Sequence, residues 1–250
     1  MNVAQGKIRV GLGGWTFEPW RGVFFPEGLP HVRELEYAAA HLTSIEINGT
    51  YYGSQKPVTF AKWAKATPDG FVFSVKASRY TTNRKILTEG AESVERFLKQ
   101  GIVELGEKLG PILWQFSAKK QFDADDFAGF LNLLPDKQDG VPLRHALEVR
   151  HESFVDPAFY ALAKKANAAI VFADSDEFPK IEQRTSDFTY ARLQRAVEDI
   201  PTGYDAPALD GWADTAKGWA KGGQDVFVYM ISGAKVRNPA AAMALIAKLD

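Results

Sequence analysis

Residues 44–76 read SIEINGTYYGSQKPVTFAKWAKATPDGFVFSVK and contain two apolar segments with an amphipathic segment between them. In Ser44–Asn48 two isoleucines alternate with polar residues, which is the period of a β-strand. The segment Pro57–Lys65 opens with proline in its first turn, where the missing N–H removes no helical hydrogen bond. Phe71–Ala77 is a second apolar strand. This order predicts a β–α–β unit with two parallel strands.

The same alternation continues on both sides of this unit. Short apolar runs predict eight strands, at Ile8–Leu12, Ser44–Asn48, Phe71–Ala77, Pro111–Phe116, Ala146–His151, Ala169–Ala173, Phe188–Leu193 and Val226–Ile231. Helical spacing and capping residues predict helices at His31–His41, Pro57–Lys65 and Ala91–Lys108, from Asp123 or Asp125 to Leu134, from Asp156-Pro157 to Lys165, at Ala208–Lys221, and from Asn238-Pro239 to Leu249. The segment Ser175–Asp187 has only a weak helical signal.

Eight strand–helix units in 250 residues fit a closed barrel. The competing fold is an open doubly wound sheet, which usually carries a glycine-rich dinucleotide turn before a helix. The nearest stretch, Gly11-Leu-Gly13-Gly14, is followed by aromatic residues instead. We therefore predict one α/β domain over residues 1–250, a (β/α)8 barrel of TIM type with parallel strands and outer helices.

Composition narrows the function classes. The chain is 46% hydrophobic and 24% charged, with a net charge of −1 and no cysteine, which excludes disulfides, thiolate metal sites and cysteine nucleophiles. Nucleic acid is a possible partner that the charge does not indicate. Residues 1–7 lack the apolar core of a secretory signal, and no apolar stretch is long enough to span a membrane. We expect a cytoplasmic protein without a membrane partner.

Polar side chains recur on the inner face of the strands, near their C-terminal ends. Alternation along each strand selects Glu46, Asn48, Lys76, Gln115, Glu148, Arg150, Asp174, Arg192 and Gln194. Three acids face three bases, so one interpretation is a structural salt-bridge network that closes the barrel mouth. The other is a basin that binds a small polar, phosphorylated or carboxylated ligand, because active sites of such barrels lie at this end.

Two further hypotheses concern histidine and metal. His151 follows the Glu148–Arg150 pair and is a candidate acid or base, although its odd spacing from Glu148 turns it toward the helices or the loop. A metal site could use Glu46, Glu148, His151 and Asp174 as ligands. However, three interleaved cations compete for the same carboxylates, and no H-x-E, H-x-H or HExxH spacing is present. The sequence predicts no metal site and identifies no cofactor.

Loops after the strands supply candidate ligand contacts. Trp15, Trp20 and Tyr51 lie in aromatic loops that form either a packed lid or a stacking wall for a sugar or base ring. Asn238 follows Ser232-Gly233-Ala234 at the start of the last helix, where such barrels often bind phosphate. The alternative is that Asn238 only caps that helix.

Several stretches together resemble the DUF72 family, the YecE-like proteins of bacteria and archaea. They are Gly13-Gly14-Trp15, Trp20–Pro26, Glu46–Tyr52, Trp63 with Thr67-Pro68, Phe71–Lys76, Lys108–Phe116, Leu147–Ser153, Asp174, Tyr190 with Arg192, Trp212-Ala213 and Asn238. The resemblance covers nearly the whole chain and implies a TIM-type barrel without a known reaction. Two places at the barrel mouth differ: Gln194-Arg195 replaces the usual His-Gly, and Tyr229–Ser232 replaces the usual Tyr-Phe-Asn-Asn.

Three function hypotheses follow. The first is an enzyme acting on a small polar, anionic substrate, with Glu148 or Glu46 as general base, Arg150 and Arg192 as anion clamp, Lys76 as electrostatic stabiliser, and Trp15, Trp20 and Tyr51 as pocket walls. The second is a phosphodiesterase or repair-like barrel that receives an extruded nucleotide. The third is a non-catalytic binding protein whose charged ring is structural.

Overall fold

The fold is a sheet of parallel strands rolled into a barrel. The structure is a computed structural model that describes residues 6–249. Its strands are β1 (Ile8–Gly13), β2 (Ser44–Ile47), β3 (Val72–Lys76), β4 (Leu109–Gln115), β5 (Lys137–Gln138), β6 (Val141–Pro142), β7 (His145–Glu148), β8 (Ala169–Ile170), β9 (Phe172–Asp174), β10 (Phe188–Leu193) and β11 (Asp225–Met230). Nine of them form the parallel sheet, and β5 and β6 form a separate antiparallel hairpin.

The nine strands occupy eight positions around the barrel. Strand β11 pairs with both β10 and β1, and the chain order β1, β2, β3, β4, β7 follows from there. The sixth position is divided at Val171: β8 pairs with β7, whereas β9 pairs with β10. The Val171 N–H still donates to the Leu147 carbonyl at 3.0 Å. The prediction of an eight-position parallel barrel is confirmed.

Helices surround this sheet at α1 (Glu34–His41), α2 (Gly49–Tyr52), α3 (Pro57–Lys65), α4 (Arg79–Thr82), α5 (Ala91–Leu98), α6 (Ala124–Leu131), α7 (Pro157–Lys165), α8 (Ala206–Trp219) and α9 (Asn238–Leu249). The single helix predicted for Ala91–Lys108 is wrong. It ends at Leu98, and Gly101 at φ 107° leads into a 3-10 segment, Ile102–Lys108. Only glycine fits at Gly101, since a Cβ there would lie 2.6 Å from the Pro57 Cα.

Capping residues explain where several helices begin. The Asp156 carboxylate accepts from the Ala158 backbone N–H, as the sequence predicted, and of the two candidates Asp123 and Asp125 it is Asp123 that caps α6, by accepting from the Asp126 N–H. The predicted cap at Asn238 is wrong. Its amide donates to the Met230 carbonyl at 3.3 Å and to the Ser232 carbonyl at 3.2 Å, so it ties the end of β11 to α9.

Two apolar layers hold the barrel together. Between sheet and helices lie outward side chains such as Ile45 and Ile47, which are completely or almost completely buried. Inside the barrel, the lower part is filled by a second cluster, Val72, Leu113, Ala146, Ala169, Val171, Phe188, Tyr190, Phe227 and Tyr229. This packed interior leaves the C-terminal ends of the strands as the place for polar side chains. Within residues 6–249, no helix has the length and apolar character needed to cross a bilayer.

Candidate functional site

Three charged side chains meet on the barrel axis, and we call Glu46, Glu148 and Arg192 the central ion cluster. They come from β2, β7 and β10. The Arg192 guanidinium donates to both Glu46 oxygens at 3.0 and 3.1 Å, and to Glu148 Oε2 at 2.6 Å. All three side chains are buried, with exposed fractions of at most 3%. One arginine therefore joins two buried carboxylates from strands far apart around the barrel.

Further side chains complete the hydrogen bonding of these carboxylates. The Tyr190 hydroxyl donates to Glu46 Oε2 at 2.6 Å, and the Gln115 amide donates to Glu148 Oε2 at 2.6 Å. Arg150 donates to Glu148 Oε1 at 3.1 Å. Tyr190 was not selected as a site residue from the sequence, although it precedes Arg192 by two positions and therefore shares its inner face. Each carboxylate oxygen now has a partner, which offsets the cost of its burial.

The charges of the central ion cluster stabilise one another. Burial alone would raise the pKa of Glu148, but Arg192 and Arg150 outweigh it and lower that pKa to about 2. Burial alone would lower the pKa of Arg192, but Glu148 and Glu46 raise it above its usual value. At neutral pH Glu148 is fully ionised, which suits an anchoring carboxylate better than the predicted general base.

Acid should weaken the fold through Glu148. Its pKa is lower in the folded chain than in the unfolded chain, so its contribution is complete above about pH 4.5 and is lost as pH falls toward 2. We expect this group to account for about 3 kcal/mol of the free energy of unfolding. Urea unfolding between pH 7 and pH 3 should show a flatter profile for Glu148→Gln than for the wild type. Glu95→Gln, at an exposed helical pair, should keep the wild-type profile; equal slopes for all three proteins would contradict the assignment.

Lys76 is the buried cation of the site that has no counter-charge. It ends β3, and among residues 6–249 its ammonium has no carboxylate within 4.0 Å and no hydrogen-bond acceptor. Burial, followed by the nearby Arg192, lowers its pKa to about 8, and Glu46 and Glu148 offset this only in part. The Nζ atom lies 4.2 Å from the centre of the Tyr51 ring, whose hydroxyl accepts from Asn83 at 3.1 Å. Its aromatic contact replaces an ion pair.

The remaining inner residues form a looser rim. Arg150 keeps a quarter of its side chain exposed and stacks on Phe178 at 4.3 Å. Asp174 lies 3.7 Å from the exposed Arg195, and its partial burial raises its pKa against the effect of that arginine. The side-chain Nε2 of Gln194 is buried and has no hydrogen-bond partner in the described part of the chain. Of the two arginines that contact Glu148, Arg150 is thus the one that remains partly open to solvent.

Some predicted residues do not join this arrangement. His151 turns back toward its own loop, where its Nδ1 accepts from the Ser153 N–H at 3.1 Å and caps a 3-10 turn. Trp20 is 1% exposed and donates to the Lys235 carbonyl at 2.9 Å, so it packs beneath the first loop and does not form a pocket wall. Asn238 is buried against the end of β11. Within residues 6–249, no group of three or more His, Asp or Glu side chains is arranged to hold a metal ion.

An aromatic pocket of about 320 Å³ lies among the loops after β1 and β2, and its lining includes no residue of the central ion cluster. We define it by Gly13, Trp15, Phe17, Asn48, Tyr52, Trp63 and Lys235, which lie among its lining residues. The Lys235 ammonium lies 4.2 Å from the centre of the Phe17 ring, and Trp15 packs edge-on against Trp63 at 5.2 Å. The pocket therefore presents both a cation and the faces of aromatic rings. Phe17, Trp63 and Lys235 were not selected as site residues from the sequence. Phe17 lies in the same aromatic loop as Trp15, so the composition of that loop was the available signal.

Comparison with known proteins agrees with this architecture. UPF0759 protein YunF of Bacillus subtilis (strain 168) is 27% identical over 158 residues, which are 61% of this chain and 54% of YunF. The crystal structure of the DUF72 family protein TM1631 of Thermotoga maritima superposes with a TM-score of 0.74 at 24% identity, over 97% of this chain and 98% of that one. EF0366 of Enterococcus faecalis V583, also a DUF72 family protein, gives 0.73 at 19% identity, over 98% and 99%.

The family model decides the assignment. Residues 9–250 match DUF72, which is described as a protein family of unknown function. The match includes every parallel strand after the first residue of β1, and with them the central ion cluster. This chain belongs to the DUF72 family.

Proposed function

We propose that the barrel mouth binds a small anionic substrate and that the chain is an enzyme acting on it. The carrying observation is Lys76 at the C-terminal end of β3, whose side chain is only 8% exposed and whose ammonium has no protein partner in the described part of the chain. A buried charge is costly unless it is paired. The carboxylates nearby already belong to Arg192 and Arg150, so a carboxylate or phosphate from a ligand would supply the missing partner.

The hydrogen bonds within the central ion cluster indicate which cations remain available to a ligand. Arg192 uses its Nε, Nη1 and Nη2 atoms on Glu46 and Glu148, which makes it a poor anion clamp for a substrate. Arg150 makes contact with one carboxylate only and is open to solvent. We therefore assign anion contact to Lys76 and Arg150, and structural anchoring to Arg192. Net positive charge remains on these five side chains, two carboxylates against three cations, which favours an anion.

The aromatic pocket is a second candidate ligand site among the loops after β1 and β2. The short helix α2 separates it from Lys76: Tyr51 contacts the ammonium on one side, and Tyr52 lines the pocket on the other. Ring faces and a few polar groups are typical of ligand pockets in proteins.

Lys76→Met tests the proposal because it should raise stability and remove anion binding together. Without ligand, the free energy of unfolding of the variant at pH 7 should be about 2 kcal/mol higher than that of the wild type. The destabilisation that lowers the pKa of Lys76 disappears, and the loss of the Tyr51 contact offsets part of this gain. That cost is complete below about pH 8 and disappears as pH rises toward 10.5, so the two proteins should converge there. Chemical unfolding at pH 7 and pH 10 measures both.

Anion binding is read from the melting temperature. Acetate, inorganic phosphate and sulfate at millimolar concentration should raise the melting temperature of the wild type, because a ligand of the native state stabilises it by mass action. Lys76→Met should not respond, whereas Lys119→Met, at an exposed lysine, should respond as the wild type does. A wild type that ignores all three anions, or a Lys76→Met variant that is less stable than it, would instead support a purely structural charged ring.

A further inference from the structure

We propose that Lys76 is a nucleophile that forms a reversible imine with a carbonyl compound bearing a carboxylate or phosphate group. The inference rests on the proposed function and names the substrate class of the same site. It goes further in one respect: the amine of Lys76 would react covalently instead of only attracting the anion.

The position of Lys76 supports this role. It is the one buried lysine within residues 6–249, and it stands at the mouth of the barrel. Arg192, which is buried and fully used by the glutamates, contributes a nearby positive charge. A lysine that is desolvated and next to another cation is the arrangement that releases a neutral, nucleophilic amine near neutral pH.

The surrounding groups leave that amine free to react. No carboxylate pairs with it in the described part of the chain, so no ion pair must break before attack. The lowered pKa, about 8, means that a useful fraction of the amine is neutral at physiological pH. Arg150, whose side chain is a quarter exposed, would hold the anionic group while the carbonyl carbon reacts with Nζ.

The step balances without another reagent. The Nζ lone pair attacks the carbonyl carbon, the C=O π electrons move to oxygen, and one Nζ proton passes through water to that oxygen to give a neutral carbinolamine. The second Nζ proton then passes to the hydroxyl, which leaves as water, and the nitrogen lone pair forms the C=N bond. One water molecule is released for each imine formed, and its return regenerates the amine and the carbonyl compound.

Borohydride trapping tests the imine. The wild-type protein is incubated at pH 7 with pyruvate or with glycolaldehyde phosphate, reduced with sodium borohydride, digested and mapped by mass spectrometry. We expect one modified peptide containing Lys76, heavier by the probe less one oxygen atom, formed on the order of tenfold faster than at the exposed Lys119. If only pyruvate labels Lys76, the recognised group is a carboxylate; if only glycolaldehyde phosphate does, it is a phosphate. Acetone should label Lys76 more slowly than either, because it offers no anion to Arg150.

Two controls separate this proposal from the one on which it rests. Lys76→Arg keeps the positive charge but has no nucleophilic amine, so it should retain the anion-dependent rise in melting temperature and lose the adduct. In the wild type, excess acetate or phosphate should slow trapping. Anion stabilisation without an adduct above the Lys119 level would overturn the imine and leave the anion site. Absence of both would overturn both proposals.

Discussion

Replacing Arg192 with methionine is expected to lower the free energy of unfolding by about 3–5 kcal/mol at neutral pH. The arginine is the shared partner of Glu46 and Glu148, and without it two ionised carboxylates remain buried in the same small volume. Single domains are stable by only about 5–15 kcal/mol, so the loss takes up a large part of the total. Chemical and thermal unfolding at pH 7 measure it.

The pH dependence of this variant distinguishes a buried charge from lost packing. Without Arg192 the pKa of Glu148 should rise above its unfolded value, so the penalty should shrink as pH falls and the carboxylates take up protons. Adding Glu46→Gln and Glu148→Gln to the variant should restore part of the stability. Arg195→Met, at a half-exposed arginine three positions along, should change stability by less than about 1 kcal/mol. An Arg192→Met protein as stable as the wild type would contradict the central ion cluster.

Gly11→Ala is expected to prevent formation of the native barrel. A Cβ at this position would lie 1.9 Å from the Ser44 carbonyl oxygen and 2.6 Å from its carbon, which are backbone atoms of the neighbouring strand β2. A methyl group has no rotamer that relieves the clash, so β1 and β2 would have to separate where Gly11 faces Ser44. That movement would also disturb the Ser44 hydroxyl, which lies 2.7 Å from the Tyr229 hydroxyl inside the barrel.

The same substitution at Gly211 provides the matched control. Gly211 lies within α8 and has open space around its Cα, so alanine there should stabilise the helix by about 0.5–1 kcal/mol. Expression in soluble form and circular dichroism should therefore separate the two alanine variants in opposite directions. A folded Gly11→Ala protein with wild-type stability would mean that β1 and β2 lie farther apart than the structure places them.

Strand alternation predicted most of the fold because each strand must present an apolar face to the helices. It located the eight positions and the polar inner residues at the C-terminal strand ends. It did not reveal the division of the sixth strand at Val171, since the apolar run continues unbroken through both halves. The break in the helix after Leu98 was also missed, because the requirement for glycine at Gly101 arises from a contact with Pro57, far away in sequence.

The same rule predicted which residues gather at the mouth but not how they pair. Alternation placed Glu46, Glu148 and Arg192 on the inner face. It could not say that Arg192 would take both carboxylates and leave Lys76 without one, because pairing depends on distances across the barrel. His151 and Asn238 illustrate the other limit. His151 lies three residues beyond the end of β7 and Asn238 eight residues beyond the end of β11, where strand parity no longer fixes the direction of a side chain.

The central ion cluster also bears on how long a folded molecule lasts. Arg192 is 146 residues from Glu46 and 44 from Glu148 in the chain, so the three charges can leave water together only after β10 has closed against the earlier strands. We expect interactions of such long range to form late on the folding pathway, after most chain entropy has been lost. Their removal accelerates unfolding more than it slows folding. The cluster thus governs chiefly the lifetime of the closed barrel, and hence its exposure to proteases, and has less influence on the rate at which the barrel is reached.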